Sequence, residues 1–347
     1  MAERGLKAHA GERGEPRKTP MVFSFGDPDP SLGDTRLLGY VVPSFAGYYD
    51  PPVPFQGIAD TLRASVHHAS SLKVKRNLLV KTFVPHRLLS RADFSRFAYE
   101  FLTFGNGYLE RKESMLRTAV RLAPAPAKYM RRHKDGHLGM ISPSGTVHDF
   151  AADAVFHLLE PDVDQEVYGL PDYLAALQPI WLNESATLFR RKYYKNGAHA
   201  GYIAYLTDDQ FTEADVEALQ EQITASKGPG NFRSLFMHAP GGKPDGLKII
   251  HLSEATAKDE FSNVKNISRD DVLAAHRVPP QLIGVVPVNA GGFGSITDAL
   301  QVFERNEIAP LQRRMEELNQ WIGEEVMRFL PFDWEEAQAR GVGAVVP

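Results

Sequence analysis

Apolar residues recur along this chain at two spacings, and the spacing changes from one segment to the next. After the turn-rich stretch "YYDPPVPFQG" (48–57), Ile58, Leu62 and Val66 fall four apart, which predicts an amphipathic helix. "NLLVKTFVPH" (77–86) is an apolar run ended by Pro85 and reads as a strand. Ser90 and Asp93 form an S-x-x-D cap ahead of Phe94, Phe97 and Phe101, which share a helical face. "FGNGY" stops that helix, with Gly105 and Gly107 permitting left-handed backbone. Short strands are expected at "LRTAVRLA" (116–123), "GHLGMIS" (136–142) and "AVFHLLE" (154–160).

Further along, Pro171 opens a helix carrying Leu174, Leu177, Trp181 and Leu188, with a kink at Pro179. "AGYIAYL" (200–206) reads as a strand. Thr212 and Asp215 cap a helix bearing Val216, Leu219 and Ile223. "FRSLFMH" (232–238) and "LKIIHL" (247–252) flank a glycine-rich turn as a β-hairpin. Ser268 and Asp271 open a helix that ends at Val278, before Pro279 and Pro280. Ser295 and Asp298 open the last helix, which sets Leu300, Phe303, Leu311, Met315, Leu318 and Ile322 on one face and bends at Pro310. Helices and strands in this order predict an α+β fold.

Composition narrows the function. The chain has 347 residues, 43% of them hydrophobic, enough to bury a core. Its formal charge of −4 argues against general duplex binding, which draws on excess Lys and Arg, but not against a surface that lets nucleic acid pass. With no cysteine, thiolate metal sites, disulfides and cysteine nucleophiles are excluded. No apolar run is long enough to span a bilayer, so no membrane partner is expected. The first twenty residues have no apolar core and read as a disordered arm.

Candidate chemistry is sparse. "PGGKPDG" lacks the hydroxyl residue and helix that a phosphate-binding loop needs. His67 and His68 are adjacent, so on a helix they point apart and cannot chelate one ion together. His133 and His137 flank the turn "HKDGH" and read as solvated loop histidines. Glu160, Asp162, Asp164 and Glu166 fall in one loop, which suits a solvated surface; the alternative is a metal-dependent nucleic-acid-processing site. "RRK" (190–192) suits a helix C-terminus, or single-stranded nucleic acid. No catalytic residue, metal site or cofactor is assigned.

"LLEPDVDQEVYGLPDYL", "FRRKYYKNGAHAGYI", "HRVPPQLIGVVP" and "FERNEIAPLQRRMEELN", in this order, resemble the portal proteins of tailed bacteriophages, and among them the short PBSX-type family. The resemblance covers about Pro51 to Leu330. It implies a non-enzymatic ring, about twelve subunits round, at one capsid vertex. Double-stranded DNA would pass through the ring during packaging and ejection. The terminase large subunit, head-completion and neck proteins, scaffold and the major capsid protein would be its partners. The ring would assemble in the host cytoplasm and remain in the virion.

By the same resemblance residues 1–50 form an arm, 51–211 a wing and 212–229 a first stem helix. Residues 230–252 form a clip, 253–280 a second stem helix and 281–296 a tunnel loop. A long helix over 297–330 and a tail over 331–347 complete the chain, leaving little length for a crown. Val288, Asn289, Ala290, Gly291, Gly292, Phe293 and Gly294 would face the DNA channel. Asn231, Arg233, Gly241, Lys243 and Asp245, in the clip, would dock the terminase.

Overall fold

The computed structural model describes residues 45–116, 118–195, 202–206, 247–251, 257–285 and 295–332. Helix α1 (Phe55–Ala64) stops where Ser65 turns extended (φ −130°, ψ 130°), and α2 (Val66–Thr82) starts afresh. Val66 is consequently exposed rather than part of the Ile58–Leu62 stripe. The strand expected over 77–86 is instead the end of α2, whose buried Leu72, Lys75, Leu79 and Thr82 keep helical spacing. Beyond α2 the segment makes only isolated bridges, Phe83 with Phe329 and His86 with Leu89. A short apolar run does not distinguish a strand from a buried helix, and here the helix won.

Ser90 caps α3 (Arg91–Phe104) by accepting the Asp93 N–H at 3.1 Å. Gly105 ends it in the left-handed region (φ 68°). Gly107 does not share that role. It lies inside β1 (Asn106–Glu113), a strand the turn-like sequence had concealed. β1 is the central strand of an antiparallel sheet, between β2 (Ala119–Ala125) and β6 (Val155–Leu159). A Cβ on Gly107 would lie 2.7 Å from the Phe97 ring and 3.0 Å from Phe101 Cβ, so glycine lets α3 lie flat on the sheet. A smaller sheet joins β3 (Met130–Arg132), β4 (Leu138–Ile141) and β5 (Val147–Asp149).

Helix α4 (Leu177–Lys195) follows a 3₁₀ turn at Leu174–Ala176 and packs along α5 (Ala257–Ala275). Pro179 falls in the first turn of α4, where its missing N–H has no helical partner to lose. Leu177, Ile180, Asn183 and Ala186 face inward, whereas Trp181 and Leu188 are exposed. Ser268 is no N-cap: it is buried in the middle of α5, where it accepts from Asn183 Nδ2 at 2.9 Å. β8 (Leu247–His251) pairs with β7 (Tyr202–Leu206), so its described partner is not the expected 232–238 segment, which lies outside the described residues. The Thr212 helix also lies outside them.

The last helical stretch has three pieces: α6 (Ile296–Phe303), α7 (Ala309–Met315) and α8 (Glu317–Ile322). A π turn (Glu304–Ile308) joins the first two, with Ala309 N–H bonding the Glu304 carbonyl, immediately before Pro310. The wide turn absorbs the residue that cannot donate. The helix expected over 297–330 therefore ends at Ile322, and Gly323 turns the chain (φ 80°). Beyond it, Leu330 N–H bonds the Thr82 carbonyl at 2.8 Å.

The described residues form two hydrophobic clusters. One gathers Phe94, Phe97, Leu109, Phe156, Phe303 and Met315 between α2, α3, the first sheet and the last helices. The other gathers Phe55, Leu72, Tyr168, Tyr173 and Ile180 around α1 and α4. The end of α5 belongs to both, through Val272 in the second and Val278 in the first. Substituting Gly107→Ala forces α3 off the sheet and is expected to cost about 1–3 kcal/mol. Urea unfolding should show a lower midpoint with an unchanged slope.

Candidate functional site

The loop singled out by its glycines, Val288 to Gly294, lies outside the described residues, as do Asn231, Arg233, Gly241, Lys243 and Asp245. What the structure supplies is the frame at either end of the loop. The first foot is the end of α5. Val278 N–H reaches the Leu273 carbonyl at 3.1 Å, and Arg277 N–H the Ala274 carbonyl at 2.9 Å. This bond pair is a Schellman cap, whose left-handed position is usually glycine. Here Arg277 takes it at φ 54°, a conformation that costs an L-residue roughly 1 kcal/mol. Its side chain offers compensation, since Nη1 lies 3.3 Å from both Asp172 Oδ2 and Glu307 Oε2. Pro279 then blocks any further helix, and a 3₁₀ turn (Pro280–Ile283) carries the chain to Gly284 (φ 74°).

The second foot is Ser295, which caps α6 with a reciprocal box: its hydroxyl accepts the Asp298 N–H at 3.0 Å, and Asp298 Oδ2 accepts the Ser295 N–H at 3.4 Å. The feet share the walls of a groove of about 760 Å³, lined by Leu273, Val278, Val285, Ala299 and Val302 among others. They also share an ion pair network. Glu307, in the π turn behind the second foot, meets Arg277 of the first and Lys75 of α2, the latter at 3.1 Å. The Lys75 and Glu307 side chains are only 5% and 12% exposed, so this contact is shielded from solvent.

Beneath the first foot lies a chain of neutral hydrogen bonds. His276 and His68 are both buried, with Nε2 of the first 2.8 Å from Nδ1 of the second. His68 Nε2 is 3.2 Å from Thr61 Oγ1, and the Thr61 hydroxyl donates to the Ile58 carbonyl at 2.7 Å. The only self-consistent direction has His276 donating to His68, and His68 to Thr61. Tyr173 packs against both rings and donates to the Thr103 carbonyl at 2.5 Å. Burial pushes the His68 pKa down to about 4. His276 falls to about 2 through burial and the nearby His68, Lys75 and Arg277. His67 points elsewhere, so the two adjacent histidines do diverge. Nothing in the sequence paired His68 with His276, 208 positions away.

The acidic loop does not converge. Glu160 is tied to Arg314 at 2.5 Å, while Asp162 folds back to accept the Asp164 N–H at 2.9 Å. Burial and the nearby Asp172 raise the Glu160 pKa, and Arg314 opposes that rise. Asp162, Asp164 and Glu166 are exposed. They do not share a metal-sized space, and the nucleic-acid-processing alternative finds no support. Arg190 and Arg191 are exposed near the end of α4. His133 and His137, expected as solvated, are instead half-buried and stacked at 4.4 Å between ring centroids.

Comparison with known proteins decides what this frame belongs to. Residues 79–341 match the family model described as phage portal protein. The chain belongs to the phage portal protein family. The match is to that family at large and does not single out its PBSX-type branch. A probable portal protein of Escherichia phage P2 is 53% identical over 310 residues, covering 89% of this chain and 90% of the relative. A probable portal protein of Haemophilus phage HP1 is 37% identical over 270 residues, covering 76% and 78%. Among solved structures, an HK97-family phage portal protein from Corynebacterium diphtheriae shares the fold with a TM-score of 0.60 at 14% identity, over 83% of this chain and 97% of that one. A chain in the neck of the native gene transfer agent particle, computed with C12 symmetry, gives 0.59 at 17% identity, over 84% and 90%. The family is a structural one rather than an enzymatic one.

The neutral histidine pair predicts a pH dependence for this portal-family chain. In the unfolded chain both histidines take up protons below about pH 6.5, whereas in the folded chain they do not. Their stabilisation is therefore complete above that pH and declines as pH falls from 6.5 toward 4. Between pH 7.5 and pH 5 the loss is expected to be about 2 kcal/mol for each histidine. Urea unfolding across that range measures it, and the pair His68→Gln, His276→Gln should flatten the slope.

Proposed function

We propose that the chain is one subunit of a ring of about twelve copies that stands at a vertex of the phage capsid and conducts double-stranded DNA. Residues 288–294 would project into the channel, and residues 230–252 would form the clip that receives the terminase large subunit and then the neck proteins. The wing would occupy 51–211, and residues 212–229 and 253–280 would be the stem helices. The observation that carries the loop assignment is the frame. A segment without charge is held at one foot by a Schellman cap and at the other by a capping box, and Glu307 ties the two feet together. Such feet let a loop change shape without disturbing the fold behind it.

The channel chemistry is consistent with this reading. Lysines at the loop, repeated around a ring, would multiply phosphate contacts and clamp the duplex. Asn289 and Phe293 offer contact without a net charge, and the whole chain is slightly acidic at −4. β8, at the C-terminal end of the proposed clip, pairs with β7 at the end of the proposed wing, which ties the clip back to the body. Subunits in a closed ring need two different complementary patches, which the exposed apolar Trp181, Leu182 and Leu188 on α4 and Ile296 and Val302 on α6 can supply.

Replacing Gly291 and Gly292 together by alanine restricts the loop's backbone without adding charge. The variant is expected to assemble normally, read by light scattering, while packaging into proheads, read by nuclease-protected DNA, falls severalfold. Failure of the rings to form would show that the segment is a structural element instead.

A further inference from the structure

The β3–β4 hairpin carries a cluster of side chains that the conduit does not use. His133 and His137 close the hairpin: His133 N–H bonds the His137 carbonyl at 2.8 Å, and Gly136 N–H bonds the His133 carbonyl at 2.8 Å. That turn brings two imidazoles, four positions apart in sequence, face to face at 4.4 Å with planes 28° apart. Asp135, at the tip, sets Oδ2 3.2 Å from His133 Nδ1. Asp149 arrives from β5, opposite Gly139, and sets Oδ1 3.6 Å from His137 Nε2. One donor atom each from His133, Asp135 and His137 lie within 4.8 Å of one another.

The surroundings fix these groups from behind. The Tyr48 hydroxyl donates to Asp149 and lies 3.1 Å from His137 Nε2. The Tyr48 ring meets both histidine rings edge-on, at 5.0 and 5.7 Å. Gly47 (φ 84°) backs onto His133, where a Cβ would fall 2.6 Å from Nε2. His133 Nε2 is thereby covered, and its Nδ1 is left facing Asp135.

We propose that His133, Asp135, His137 and Asp149 form a zinc site that clips the hairpin to β5. Two imidazole nitrogens and two carboxylate oxygens are a donor set that suits zinc better than magnesium or calcium, which favour oxygen alone. Bonds of about 2.0–2.2 Å in a tetrahedron put donor atoms about 3.3 Å apart, so His133, Asp135 and His137 close by roughly an ångström or more. Asp149, outside that three-residue group, swings in from beside His137. Asp135 and Asp149, at 68% and 64% exposed, have the freedom to make that move. Zinc on His137 Nε2 replaces the contact with Tyr48 and leaves the tyrosine hydroxyl bonded to Asp149, an orienting partner behind a ligand.

Calorimetric titration of the full untagged chain, freed of metal, with zinc chloride tests this. One zinc per chain is expected, with magnesium chloride giving no comparable heat, and zinc should raise the melting temperature. His133→Ala with His137→Ala should weaken zinc binding ~100-fold and cancel the thermal shift, with the circular dichroism spectrum unchanged. If that pair disturbs folding, the exposed Asp135→Asn and Asp149→Asn changes read the same site, each weakening binding ~10-fold or more. Absence of zinc binding, undiminished binding in the variants, or equal competition by magnesium would overturn the proposal.

Discussion

Glu307 lies where three parts of the fold meet. Its carboxylate faces Lys75 from α2 and Arg277 from the end of α5, and it sits in the π turn that continues from the second foot of the loop. A largely buried carboxylate without cations would be costly, and removing either partner leaves the others uncompensated. The pair with Lys75 is thus less a source of net stability than a constraint on register. It ties α2, the end of α5 and the π turn to one another. The π turn serves that constraint, because it accommodates Pro310 and carries Glu307 in the same five residues.

The histidine chain supports the same junction from below. His276, two residues from the Val278 that ends the cap, donates into a line of neutral groups that finishes at the Ile58 carbonyl of α1. Val272 and Val278 place this short stretch in both hydrophobic clusters.

Much of this was legible in the sequence, and the failures have physical reasons. The caps at Ser90 and Ser295 are local hydrogen-bond patterns, so the sequence located them. Residues 77–82 misled because a buried helix and a buried strand both present continuous apolar sequence. β1 was missed because Gly105 and Gly107 look alike in sequence. One ends a helix by its backbone angle, and the other makes room for Phe97. Ser268 and Asp271 match a cap by spacing, but tertiary packing on Asn183 keeps α5 helical through them. The charged and imidazole contacts of the frame join residues 30, 208 and 232 positions apart, and no local pattern records them. The order of family segments pointed to the portal family where residue chemistry was silent.

The central claim is assembly around a channel, and absolute mass tests it most directly. Light scattering across a size-exclusion peak of the purified chain, alone and with scaffold protein present, should give a species near twelve or thirteen times 38.6 kDa. A chain that stays monomeric in both conditions would contradict the account.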